Sequence, residues 1–150
     1  MMFRWLLALT VVFVSPSIAS CASDKGLVTV HWQPFDPTGK AIACGSGDKV
    51  HVSFGIYDNH FACDVGGGGT DPKGNAFVGG ISIDSVTVGG PYNLFLELID
   101  GGTGYIRAQA VLPAVGDVQS STPLDVGTVP LLEVAPSGPY AGLPSDSGAE

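Results

Sequence analysis

A chain of 150 residues is long enough for one ordinary domain and too short for two well-buried cores, and its 22 Gly and 11 Pro interrupt helices too often for a long-helix or coiled-coil protein. With 45% apolar residues the composition is that of a chain that folds. Six Lys and Arg against 14 Asp and Glu give a formal charge of -8, which repels phosphate backbones; nucleic acid is excluded as a partner, and anionic lipid headgroups are disfavoured.

The first element is Met1 to Ser20. It opens with a single basic residue, Arg4, continues as an apolar run from Trp5 to Val14, and turns to small residues and Pro16 before Cys21. That layout predicts an export signal peptide over residues 1–20. The apolar run would rise only about 15 Å as a helix, half of a hydrocarbon core of about 30 Å, so a permanent transmembrane span is the poorer reading.

Ile18-Ala19-Ser20-Cys21 resembles the lipobox of bacterial lipoproteins: an aliphatic residue, two small ones, then Cys. The resemblance implies cleavage before Cys21, a diacylglyceryl thioether on its thiol, an acyl chain such as palmitate on its amine, and a product held on the membrane by lipid. Ala22 after the Cys, in place of Asp, implies the outer membrane of a double-membrane bacterium. The other reading of these residues is an ordinary secretory cut that leaves Cys21 a free or paired thiol.

Assigning Cys21 to lipid leaves Cys44 and Cys63 as a pair in an oxidising compartment, where a structural disulfide is the expected use. Their separation is far from the C-x-x-C spacing of a redox or zinc pair.

After a lipidated tether over 21–26, the chain reads as short strands broken by Gly, Pro and Asp. Val28, Val30 and Trp32 alternate with polar residues, as do Val50, Val52, Phe54 and Ile56, and this period of two predicts half-buried strands. A short segment follows around His60 to Val65, then Ala76 to Asp84. Leu94, Leu96 and Leu98 alternate next, and the Gly-rich turn from Asp100 to Gly104 predicts a hairpin into Tyr105 to Leu112. The last strand candidate spans Leu124 to Val134 with a bend at Gly127 or Pro130.

The near-copies Asp36-Pro37-Thr38-Gly39 and Asp71-Pro72-Lys73-Gly74 read as turns. Residues 135–150 are rich in Pro, Gly, Ser and acid, and a disordered tail is expected there.

Together these elements predict an all-β domain over 27–134, an antiparallel β-sandwich of about seven strands of immunoglobulin-like or transthyretin-like type. Val30-His31-Trp32, Cys44, Cys63-Asp64 with Gly66 to Gly69, and the hairpin from Tyr92 to Leu112 also resemble uncharacterised bacterial lipoproteins that carry one such domain. That resemblance implies no reaction. If strands run simply up and down from the anchor, loops 33–48, 65–75 and 100–104 all fall at the far end, with the disulfide tying two of them together.

Residues that carry chemistry are sparse. His31, His51 and His60 match no metal spacing; Asp64, Asp71 and Asn75 do not follow a calcium loop; Gly66 to Gly69 lacks the Lys-Ser/Thr of a phosphate loop. Gly45-Ser46-Gly47 is no nucleophile elbow, and Asp58, Asp84, Asp100 and Asp117 read as turn residues. Tyr57, Phe95, Tyr105 and Ile99, on nominally outward faces, are the candidates for an aromatic binding platform. The expectation is therefore a non-catalytic, cofactor-free, lipid-anchored envelope protein that acts as a structural or protein-interaction module with a protein partner in the envelope. The alternative is an extracytoplasmic module that binds glycan, a peptidoglycan fragment or a metal ion.

Overall fold

Alternating apolar residues build the strands, and the turn residues between them set their lengths. A computed structural model describes residues 24–135 as nine strands and no helix. They are β1 (Lys25–Phe35), β2 (Lys49–Phe54), β3 (Tyr57–Ala62), β4 (Gly69–Thr70), β5 (Ala76–Phe77), β6 (Gly79–Thr87), β7 (Leu94–Ile99), β8 (Ile106–Leu112) and β9 (Leu124–Glu133). The expected signal peptide, Cys21 and the tail from 136 onwards lie outside the described residues.

Seven strands form one mixed sheet in the order β3-β2-β7-β8-β9-β1-β6, and β4 pairs with β5 in a small second sheet. Only Ala108–Glu133 and Gln109–Leu132 pair across β8 and β9, so the sheet doubles over at that junction. The result is a sandwich that nearly closes into a barrel. One face of each layer fills a common core: Val28, Val30 and Trp32 from β1, Val129 and Leu131 from β9, and Val50, Val52, Phe54, Leu94, Leu96 and Leu98 from the facing layer.

On the open side, β3 and β6 are the sheet's edges. Trp32 sits between them at one end, fully buried, and its indole Nε1 donates to the Cys63 carbonyl at 2.7 Å. Beside it the Gly80 amide donates to the Val65 carbonyl at 3.0 Å, which draws the two edges together. Gly79 is required there, because a Cβ at this position would run into the Cys63 oxygen and the Trp32 ring.

The all-β architecture and the number of main strands are those the alternation predicts, while three local features depart from it. First, β9 lies parallel to β1, because the 113–123 connection recrosses one end of the sandwich before β9 begins opposite Val28. Second, the run through Ile56 is not one strand: Gly55, at φ +61°, turns the chain sharply between Phe54 and Tyr57 and leaves Ile56 at the hairpin tip, 88% exposed. Third, Ile99 is fully buried although it keeps its outward register opposite Lys49; beside it the bulge lies in β8, where Ile106 pairs with Ile99, Ala108 pairs with Leu98 and Arg107 is the extra residue. A further bulge, at Gly127 with φ +80°, is the bend expected in the last strand.

Candidate functional site

The strand directions sort the loops into two ends. Lys25, where β1 starts, pairs with Thr87; the 55–56 turn, the 88–93 loop and the 113–123 connection lie at this entry end. Loops 36–48, 63–78 and 100–105 lie at the far end, separated from the entry by the eleven residues of β1, about 35 Å.

The far loops are held by a small set of polar groups. Cys44 and Cys63 are joined in a disulfide. Asp48, 5% exposed, accepts hydrogen bonds from the Gly45 amide (2.7 Å), the Gly101 amide (2.9 Å) and Arg107 Nη1 (2.7 Å), so a single carboxylate ties three segments together. The two Asp-Pro-x-Gly turns share one construction. Asp36 Oδ1 accepts from the amides of Thr38 and Lys40, and Asp71 Oδ1 from those of Lys73 and Asn75.

Asp71 also binds outward, its Oδ2 accepting from the Asn75 side chain (3.1 Å) and the Thr128 amide (3.0 Å), which fastens the turn to β9. Burial acts to raise the Asp71 pKa, but the hydrogen bonds from Asn75 and Thr128 outweigh it and hold the carboxyl well below the usual range. Asp36 is lowered by the Thr38 hydroxyl and the Lys40 amide, and Asp100, in the 100–105 hairpin, by the amide and hydroxyl of Thr103.

Between the two Asp-Pro-x-Gly turns lies a cleft of about 490 Å³, whose lining includes Gln33, Phe35, Ala41, Asn75, Thr128 and Pro130. Gln33 is buried and holds the 41–43 segment through Nε2 to the Ile42 carbonyl. The buried Thr128 hydroxyl lies beside the Asp71 carboxylate and helps to hold it ionised. No single residue pattern marks this cleft. Its walls come from β1, β9 and a turn forty residues away, and the repeated Asp-Pro-x-Gly was the one signal in the chain that pointed to it.

The aromatic candidates do not converge. Tyr57 pairs with Phe54 and packs against the core, Phe95 stands 42% exposed opposite Ser53 on the outer face of β7, and Tyr105 lies at the far end beyond Ile99. His31 and His51 lie in different layers, with His31 stacked on Phe77.

His51 forms a polar row with its strand neighbours. Its Nδ1 lies 2.8 Å from Glu97 Oε2 and its Nε2 3.0 Å from Asp58 Oδ1, while its ring stacks on His60 at 4.7 Å. Burial first, and the neighbouring His51 second, lower the His60 pKa against the attraction of Asp58. Among the described residues no group of three or more His, Cys, Asp or Glu is arranged to hold a metal ion. Asp64, the third candidate calcium ligand, belongs to a separate turn that accepts the Gly67 amide.

Comparison of the chain with protein-family models, with curated proteins and with solved structures gives no match.

Proposed function

We propose that this protein is a lipid-anchored envelope lipoprotein, tethered through Cys21 and probing its surroundings with the far end of the sandwich, where the cleft between the two Asp-Pro-x-Gly turns receives a segment of a protein partner. The reading is non-catalytic. The observation that carries it is the placement of a preformed, polar-floored cleft about 35 Å from the point where the chain enters the fold. The disulfide and the Asp48 hydrogen bonds favour this use, since loops already ordered lose less freedom when a partner binds. The lipobox resemblance supports the anchor and the outer membrane as its site, and with Cys21 lipidated the remaining two Cys form a closed pair.

The test has two parts on the protein in its native envelope. Intact mass should correspond to residues 21–150 plus acyl groups and rise by two hydrogens on reduction. A photo-crosslinking residue placed at Ala41 should give a discrete protein adduct, and one placed at Gln119, at the entry end, should give none. An acylated protein with no adduct from Ala41 ends the interaction reading and leaves the anchor standing; an unmodified mass ends the anchor.

A further inference from the structure

The entry end of the sandwich is built differently from the far end. There the two layers gape between β2–β3 and β6 to form a groove of about 360 Å³, lined by Phe54, Ile56, Tyr57, Val86, Thr87 and Tyr92. The two-residue turn carries Gly55 at its first position, as such turns ordinarily do, and at its second projects Ile56 almost wholly into solvent. Val88, on the adjoining loop, is exposed as well.

The chain enters on the rim of this groove. The Asp24 carbonyl accepts the Val88 amide at 2.8 Å, and Lys25 Nζ donates to the hydroxyl of Thr87 at 3.1 Å. Cys21 is three residues before Asp24, a reach of at most about 11 Å. Acyl chains on Cys21 would therefore bring the bilayer surface to the same end of the domain as Ile56 and Val88.

We infer that the groove and the Ile56 tip form a lipid-contact surface that seats the domain on the bilayer interface. The inference rests on the lipid anchor at Cys21 proposed above. Charge selects the kind of surface. Lys40, Lys49, Lys73 and Arg107 all sit at the far end, so Lys25 is the one basic residue among the described residues at the entry end, beside Asp24, Asp58 and Asp117. An acidic rim around an apolar tip suits a zwitterionic leaflet and opposes an anionic one. Contact at a second point besides the anchor also fixes the direction in which the far cleft points.

The test uses the acylated protein purified from membranes and reconstituted into phosphatidylcholine vesicles with brominated acyl chains. Ile56→Trp reports on the groove, Val88→Trp on its rim, and Thr38→Trp on the far end; the buried Trp32 contributes the same background to all three. The expected result is blue-shifted, bromine-quenched emission from Ile56→Trp and Val88→Trp, with no quenching beyond background from Thr38→Trp, and a loss of the effect when phosphatidylglycerol replaces most of the phosphatidylcholine. Vesicle-bound, acylated protein whose two entry-end variants emit like Thr38→Trp overturns the inference while the anchor survives. Protein whose mass carries no acyl groups overturns both, and the mass distinguishes the two failures.

Discussion

Replacing Asp48 by Ala removes the acceptor for the Gly45 and Gly101 amides and strands Arg107, whose side chain is about a third exposed. Breaking a charge-assisted pair on the buried side is expected to lower unfolding stability by about 2–4 kcal/mol, less than for a fully enclosed pair because water reaches the guanidinium. Urea denaturation measures this directly, and a loss below about 1 kcal/mol would mean that the far loops hold together without Asp48. Titration is also decided residue by residue. Asp36, Asp71 and Asp100 ionise more readily in the folded chain than in the unfolded one, so their stabilising effect is complete above a pH of about 4 and is lost as pH falls through the lowered folded values. His60 acts at higher pH. Its folded pKa lies below the ordinary 6.5, chiefly through burial, with His51 and Lys49 also opposing its protonation and Asp58 and Glu97 favouring it, so the unfolded chain takes up the proton first and stability falls as pH drops below about 6.5. Denaturation midpoints at pH 7.5, 5.5 and 3 should thus decline in two steps, and His60→Gln should flatten the upper one; a variant that keeps the full upper step would assign it to another group.

At the scale of elements, the β2–β3 hairpin shows where alternation misleads. Val50, Val52 and Phe54 do face the core, and the same rhythm continues by accident through Ile56, although Gly55 has already reversed the chain. Only the backbone angle at Gly55 separates a turn from a longer strand there, and composition does not report it. Gly55→Ala is expected to lower stability by about 1–2 kcal/mol, since the left-handed region is costly for a residue with a Cβ and that Cβ would meet the Tyr92 ring at 2.9 Å. An unchanged urea midpoint would show that the turn relaxes to another geometry. Ile99 was misplaced for a different reason: alternation reports the face a residue takes and not what covers that face, and Ile99 keeps its outward register opposite Lys49 yet is fully buried. The turn around Asp100 and the bend at Gly127 were legible because Asp and Gly declare their backbone needs locally. The far cleft was not, since Gln33, Asn75 and Thr128 meet only through long-range packing.

For the whole molecule, the disulfide and the buried Trp32 close the sandwich at the same end, on the strand edge that β3 presents to β6. Removing the bridge as the Cys44→Ser, Cys63→Ser pair frees a loop of about twenty residues in the unfolded chain and is expected to lower stability by about 3 kcal/mol, a loss that thermal unfolding would register. A loss much smaller than this would show that the Trp32 and Gly80 contacts suffice to close the edge. The parallel pairing of β1 with β9 was beyond the reach of a local reading, which followed strands up and down but could not tell which of them would become neighbours.

That pairing has a mechanical consequence. The chain enters at the foot of β1, at Asp24, and leaves at the head of β9, near Ala135, so the two exits face opposite ends of the sandwich. Tension applied between them pulls β1 and β9 past each other lengthwise. Their eight paired positions, from Val28–Leu124 to Phe35–Leu132, then share the load together and do not open one after another like a zip. A domain built this way resists extension along the line from its entry end to its far end, and yields more readily to force applied across that line.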